Sequence, residues 1–361
     1  MASTPPHHPT YNVRLDEADI SDIIHLVDPS RTVLSVEQLE SGRSFNNRIY
    51  FIRVTPSDDS NDATADIEDF VLKVSGQFFG PDKVQNEVAC LHLIEHHCPP
   101  VPVPRVVAWC EGGKSALKVL TRFEDGQSNI LTRSADTDAK RGWLLLSRVP
   151  GRPLETTDLD DKENGREIMQ QLASIVTQLR TKIPTADRFG NIAISGLEQH
   201  RGSLHASLEV KGLILRHLIP DRPILTALEY YHIRLQDQLQ KLETEPALTL
   251  LREKIAARVR HFTSHSLPTL PQSASKPTFT HYDFSPRNVL VSDCSPARVT
   301  GLVDFEFAGF FPAEEDFANT AVNNEGDWPA DAYEWFLEGL EAYGVETPLR
   351  GFSEERWRGG E

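Results

Sequence analysis

Apolar and polar positions change rhythm once along this chain, near Pro150-Gly151. Before that point the apolar residues fall mainly in short strand-like runs. Residues 16–27 (DEADISDIIHLV) are the first exception, and their spacing predicts a short helix. Two strands are expected between Thr32 and Val54, joined by a turn at Ser41-Gly42-Arg43. The polar, acidic segment 56–69 reads as a solvated loop, and Phe70–Val74 (FVLKV) as a strand carrying one lysine. After Gly80-Pro81, Val84, Val88 and Leu91 form one helical stripe. The proline-rich segment 99–105 ends that helix and leads to a strand near Val106–Trp109. A polar stretch, 124–140, separates it from the strong strand 143–149 (WLLLSRV).

Beyond Pro150-Gly151 the period becomes helical. Ile168, Leu172, Ile175 and Leu179 repeat at helical spacing, as do Leu228, Tyr231, Leu235, Leu239 and Leu242. This order predicts an α+β protein in two parts rather than alternating βαβ units. The expected division is a tail and short helix over 1–30, a strand-rich region over 31–149 and a mainly helical region over 150–361. No repeat of 20–50 residues is visible, which sets solenoids and propellers aside.

Composition narrows the function. With 361 residues, 39% apolar and 25% charged, the chain has ordinary globular composition. Lys and Arg total 37 against 53 Asp and Glu, a net charge of −16. Such acidity argues against nucleic acid as a partner, because phosphate backbones need a basic face. No apolar run approaches the roughly 20 residues that span a bilayer. The N-terminus, MASTPPHHPTYNV, lacks the basic start and apolar core of a signal peptide. Four cysteines form no C-x-x-C pair. A soluble, reduced, cytoplasmic protein without membrane contacts is the expectation.

The densest polar signal is His281-Tyr282-Asp283-Phe284-Ser285-Pro286-Arg287-Asn288, followed by Val289-Leu290-Val291. Asp304 comes 13 residues after Val291, at the end of a second short apolar run. Two carboxylates and an amide, Asp283, Asp304 and Asn288, make a hard-oxygen set suited to Mg²⁺ and phosphates. The spacing H-x-D-x-x-x-x-N matches a kinase catalytic loop, in which the Asp receives the acceptor's proton and the Asn holds a metal. Phosphoryl oxygens also need a cation. Lys73 is the candidate, with Glu87, 14 residues later on the striped helix, as the group that holds it. Taken singly, Asp and Asn in a loop are turn residues, a strand lysine is solvated and a buried His is structural. The five features in the right order on the right elements outweigh those readings.

HYDFSPRNVLV followed by VTGLVDFEFAG resembles the aminoglycoside phosphotransferase and choline kinase family, the small-molecule branch of the protein-kinase-like fold. The likeness runs from about Leu39 to Asp316. It implies a two-lobed fold with a strand-rich N-lobe and a mainly helical C-lobe. It further implies Asp283 as catalytic base, Asn288 and Asp304 as metal ligands, Lys73 on the phosphates and Glu87 as its partner. Residues 148–154 resemble the family's hinge, where backbone groups of Ser147 and Val149 would bond adenine. Residues 39–50, with Gly42, resemble its nucleotide loop, and Asp316 the acid that closes the segment after the metal site. The implied activity is transfer of the γ-phosphoryl of ATP (or GTP), with Mg²⁺, to a hydroxyl of a small molecule.

Some positions depart from that pattern. Gly42 is the single glycine of its loop, Tyr282 stands where the family has glycine, and Glu306 follows Asp-Phe where protein kinases carry glycine. Glu314, Glu315, Glu325, Asp327, Asp331 and Glu334, with Trp328, Trp335 and Phe336 among them, give a lean toward a cationic acceptor, although acids and aromatics in helices are ordinarily surface and core. The competing readings are a nucleotide-binding scaffold that has lost transfer, and a protein kinase, against which the lack of an A-P-E or peptide-docking segment argues.

Overall fold

The structure, a computed structural model, describes residues 5–40, 43–55, 67–112, 116–122, 128–133, 141–200, 203–213, 222–269, 276–317 and 328–347. The chain forms two compact units. One comprises Met1–Arg152 with Ala193–Glu209 and Thr300–Glu306, and the other Pro153–Ile192, Val210–Val299 and Phe307–Glu361. The first unit is therefore discontinuous, and it includes Asp304, which the sequence pattern assigns to the second region. Among the described residues no helix is long and apolar enough to cross a membrane.

In the first unit seven strands form one sheet: β1 (Val33–Gln38), β2 (Asn47–Val54), β3 (Glu68–Ser75), β4 (Val106–Cys110), β5 (Leu117–Arg122), β6 (Ser128–Arg133) and β7 (Trp143–Ser147). Their order is β1–β2–β3–β7–β4–β5–β6, with antiparallel neighbours. Period-two alternation sorts the side chains to the two faces. Tyr50 and Ile52 stand opposite Leu72 and Phe70, and that face is buried against Ile20, Ile23 and Ile24 of helix α1 (Glu17–Val27). A reciprocal Asp16–Asp19 capping box starts this helix. Each fully buried isoleucine contributes about 2 kcal/mol. Lys73 lies between Leu72 and Val74 and so points to the other face, where its cross-strand neighbours are Ile49 and Leu144. Helix α2 (Pro81–His97), with Pro81 in its first turn, lies on that side and carries Glu87.

The sheet is larger than the pattern predicts. Strand β6 falls inside the stretch read as polar loop, because an edge strand tolerates polar residues and leaves Leu131 43% exposed. The two-residue strand β8 (Arg152–Pro153) closes the first long segment. Strands β9 (Ile192–His200) and β10 (Ser203–Val210) then pair as a two-stranded sheet within the region expected to be mainly helical. Leu204, Ala206, Leu208 and Val210 alternate with polar residues, a strand period that the neighbouring helical stripes overshadow.

The second unit is mainly helical: α3 (Lys162–Lys182), α4 (Ala227–Thr244), α5 (Thr249–His261) and α6 (Ala330–Ala342). Ile168, Leu172, Ile175 and Leu179 of α3 are buried. Helix α6 approaches it closely, since a Cβ on Gly339 would lie 2.8 Å from the Ala173 Cβ. Strand β11 (Thr278–Thr280) leads into residues 281–288, and β12 (Val289–Val291) leaves them. Strand β13 (Val299–Leu302) carries the chain back to the first unit, and β14 (Gly309–Phe311) pairs antiparallel with β11. A separate core gathers Phe189, Leu213, Ile224, Tyr230 and Phe311.

Candidate active site

In the second unit, residues 281–288 hold Asp283 from several sides. The buried His281 accepts the Asp283 N–H on Nδ1 at 3.3 Å, a structural role for this histidine. Pro286–Asn288 forms one 3-10 turn, closed by Asn288 N–H donating to Ser285 O at 3.0 Å. Asn288 is 5% exposed, and its amide nitrogen donates to Asp283 O at 2.8 Å and to Oδ2 at 3.1 Å. Arg287 Nη2 reaches Asp283 Oδ1 at 2.6 Å. Behind the loop Trp328 Nε1 donates to Phe284 O at 3.2 Å, and the Phe284 ring lies 5.0 Å from that of Phe336.

Tyr282 has φ +71°. A bulky residue in the left-handed region bears about 1–2 kcal/mol of strain, which explains why glycine suits this position in the related motif. Here the ring is anchored instead. Its centroid is 4.6 Å from that of Phe311, and the Arg234 guanidinium lies 5.8 Å from it.

The first unit holds the cationic part. Lys73 Nζ donates to both Glu87 oxygens and to Asp304 Oδ1, each at 2.7 Å, and lies 3.5 Å from Glu306. Burial alone would lower this ammonium, but Asp304, Glu87 and Glu306 outweigh it and hold it well above its usual range. The ion pair is the state this bidentate geometry favours. Asp304 has φ +70°, and its side chain remains 30% exposed.

A second buried lysine lies beneath this group and is absent from the sequence reading. Lys83 Nζ donates to Asn47 Oδ1 at 2.7 Å and to Asn46 O at 3.3 Å, and lies 3.3 Å from Glu306. Burial pushes Lys83 down while Glu306 opposes the shift. Three acceptors around Nζ match the three donors of an ammonium, so the charged form fits. Glu306 is fully buried and accepts from Asn46 Nδ2 at 2.9 Å and Asn47 Nδ2 at 2.6 Å, while its carbonyl accepts from Asn86 at 2.9 Å. Burial would raise its carboxyl, but Lys83, Lys73 and the two amides hold it down to about 2.

Glu87, Asp304 and Glu306 bring carboxylate oxygens within 4.8 Å of one another. The Lys73 ammonium already occupies bonding distance of this trio, so the trio is a lysine site. Asp304 in the first unit and Asn288 in the second each carry a hard oxygen of the kind magnesium prefers. The Asn288 amide nitrogen donates to both the carbonyl and the carboxylate of Asp283.

The remaining sequence candidates fare differently. Ser147 ends β7, where its N–H donates to Arg105 O at 2.9 Å and its hydroxyl accepts from Arg105 N at 2.8 Å. Its N–H is thus committed within the unit, which leaves any base-directed role to other backbone atoms. Val149 follows and packs against Gly301, where a Cβ would meet its Cγ1 at 2.4 Å. Gly42 lies outside the described residues, as do Glu325 and Asp327. Asp316, its side chain 9% exposed, lies 3.8 Å from Arg180, and desolvation raises it to about 6 against that pull. Trp328, Trp335 and Phe336 are core, the ordinary place for such aromatics: all three are buried. Glu315 is also buried and paired with Arg234, so its charge is already answered. Asp331 and Glu334 are exposed on α6.

Solved structures of similar fold are aminoglycoside phosphotransferases. The GDP and kanamycin complex of APH(2″)-IIia has 16% identity and a TM-score of 0.52, covering 95% of this chain and 86% of that one. The gentamicin complex of APH(2″)-IIa has 13% identity and a TM-score of 0.55, covering 91% and 82%. ADP-bound APH(2″)-Ib has 12% identity and a TM-score of 0.53, covering 90% and 82%. At such identities the likeness is one of fold, the two-part kinase-like α+β architecture. A search of curated proteins finds no match. The sequence profile of the phosphotransferase enzyme family matches residues 35–355, most of the chain, and the protein belongs to that family.

Proposed function

We propose that the protein transfers the γ-phosphoryl group of ATP or GTP to a hydroxyl of a small molecule. The observation that carries this reading is the Lys73 ammonium, buried on a strand and 2.7 Å from both Glu87 and Asp304. Glu87 fixes its direction, and Lys73 binds the nucleotide phosphates. Asp283 orients the acceptor hydroxyl and takes its proton as oxygen attacks phosphorus. Asn288 and Asp304 would hold magnesium, which when bound neutralises charge on the phosphate oxygens. Val149, with the carbonyl of Ser147, and the Gly42 loop are the proposed contacts for the nucleotide.

Relatives of the same fold occur with GDP and kanamycin, with gentamicin, and with streptomycin and ATP. The test is therefore turnover of ATP and GTP against kanamycin, gentamicin, streptomycin, choline and simple amino alcohols, with Asp283→Asn as control. Product should form with at least one acceptor, and the variant should lose about 10²–10⁴ in rate. Equal phosphorylation by both proteins would remove Asp283 from the base role. Thermal stabilisation by Mg·ATP with no product from any acceptor would favour a nucleotide-binding scaffold.

A further inference from the structure

Arg234 of α4 is left unused by that reading, yet its guanidinium lies over the ring of the residue next to the proposed base. Three groups fix this head group. Nη1 donates to Tyr230 OH at 3.1 Å and to the Glu315 carboxylate, and the guanidinium stands 5.8 Å from the Tyr282 ring centroid. The Arg234 side chain is 20% exposed and that of Glu315 only 2%. Tyr230 is fully buried, and its hydroxyl is 3.5 Å from that of Tyr282. Burying such a pair strips both ions of water, and the net gain in stability over apolar packing is small. Its place in the second unit, against Tyr282, points to a task beyond stability.

Tyr282 keeps φ +71°, a left-handed conformation disfavoured about 5–30-fold for a bulky residue and open to glycine. A residue stays there only where its surroundings over-determine it. The ring is the handle by which Tyr282 is held. Phe311 of β14, itself buried, packs against it with centroids 4.6 Å apart, and Arg234 covers it. Arg234 is rooted in α4 and, through Glu315, in the turn after β14, where Glu315 N–H donates to Pro312 O at 2.9 Å. Asp283 shares a peptide bond with Tyr282. A flip of residue 282 to the right-handed region would carry the Asp283 N–H away from His281 Nδ1, 3.3 Å distant, and turn the carboxylate with it. Resting on the phosphotransfer reading above, we propose that Arg234 is a positioning residue that holds the Tyr282 ring and thereby keeps Asp283 aimed at the acceptor hydroxyl. The competing account is a pair that only anchors α4 to the segment after β14. Its removal would then weaken the fold equally whatever residue stands at 282.

The experiment is a double-mutant cycle on the full chain between Tyr282→Gly and the pair Arg234→Met with Glu315→Gln, changed together so that no buried charge is left alone. The first readout is amide hydrogen exchange at Asp283, taken relative to Leu172 in the core of α3 as a gauge of global stability. With Tyr282 in place, the paired replacement should speed relative exchange at Asp283 about 5–30-fold, as the left-handed penalty is released. In the Tyr282→Gly background the same replacement should change it less than about twofold, because glycine needs no restraint to keep φ positive. The second readout is phosphate release from Mg·ATP with water as acceptor. There kcat should fall by about the same factor with Tyr282 present, with KM for ATP within about twofold, and should be insensitive to the pair in the glycine background. Equal effects of the paired replacement in the two backgrounds, or relative exchange within about twofold of wild type, overturn the proposal and leave the anchoring role alone. If wild type releases phosphate no faster than Asp283→Asn, the phosphotransfer reading fails, and the exchange cycle then upholds or overturns the tie from Arg234 to residue 283. If wild type outpaces Asp283→Asn while the paired replacement leaves kcat unmoved, that reading stands and this inference alone fails.

Discussion

Replacing Lys83 with methionine isolates the buried charge that faces Glu306. Methionine keeps the length and volume of the stem while removing the ammonium, so the loss is electrostatic. Glu306 then remains fully buried, with Asn46, Asn47 and a Lys73 that is 3.5 Å away. A carboxyl held at about 2 rather than its ordinary 4.5 gains about 3 kcal/mol at neutral pH from all its partners together. Lys83 is the strongest of those partners, and breaking a buried pair by removing one member typically costs about 3–5 kcal/mol. Lys83→Met should therefore destabilise the protein by about 2–4 kcal/mol at pH 7. Because the folded carboxyl is depressed, its contribution is complete above the unfolded value of 4.5 and is lost as pH falls toward 2. The deficit of the variant should shrink over the same interval, since a protonated Glu306 has no need of Lys83. Urea unfolding followed by circular dichroism at pH 7 and pH 4 measures both effects. Lys83→Met combined with Glu306→Gln should recover most of the loss. A cost below about 1 kcal/mol at pH 7, or a double variant no better than the single one, would refute the ion-pair account.

Asp316 works in the opposite direction. Its folded value of about 6 lies above the ordinary 3.8, so the native state keeps the proton and its stabilisation, about 3 kcal/mol at full protonation, is lost as pH rises through 6. Urea midpoints measured from pH 4 to 7 should decline in wild type and lose that slope in Asp316→Asn. Gly301→Ala forces a Cβ to 2.4 Å from Val149 Cγ1, an overpacking expected to cost about 1–3 kcal/mol. Calorimetry should show the lower Tm together with weaker ATP binding if Val149 contacts the nucleotide; an unchanged Kd removes Val149 from that role. Asp304→Asn should abolish the part of the ATP-induced thermal shift that depends on magnesium, read as the difference with and without EDTA, while leaving the metal-free shift in place.

The candidate site residues stood out because their spacing carries information. His281, Asp283 and Asn288 sit in a fixed loop, Lys73 is alone in an apolar strand, and Glu87 lies on a striped helix. Lys83, Asn46, Asn47 and Asn86 gave no such signal. Their roles come from burial around Glu306, and in one dimension a lysine near the start of a helix looks like surface. Arg287 was in plain view inside the motif, but its contact with Asp283 depends on the turn at Pro286–Asn288. Acids and aromatics after Asp304 are ambiguous in one dimension for the converse reason. Side-chain type says what Glu315 or Trp335 can bind, while packing decides that Arg234 and the helical core have already bound them. Strand β10 carries a clear alternation, within a region whose helices dominate the pattern.

The segment Asp304-Phe305-Glu306 is fixed at every residue. Asp304 holds a left-handed backbone at φ +70° while Lys73 takes one of its oxygens, Phe305 is fully buried, and Glu306 is bound by Lys83 and two asparagines. A non-glycine residue persists in such a conformation only where its surroundings over-determine it. Glutamate at the third position does what a flexible glycine would not, because its carboxylate ties the segment to Asn46 before β2 and Asn47 at its start, and to α2 through Lys83. The metal-ligand candidate is thereby presented ready-made instead of being ordered by nucleotide. The amides of residues 304–306 should accordingly resist hydrogen exchange in the nucleotide-free protein nearly as well as with Mg·ATP bound. In Lys83→Met that protection should collapse without nucleotide and return in part with it. Fast exchange of these amides in the unliganded wild type would mean that the segment is switched by its ligand, and that the two buried lysines serve the bound state alone.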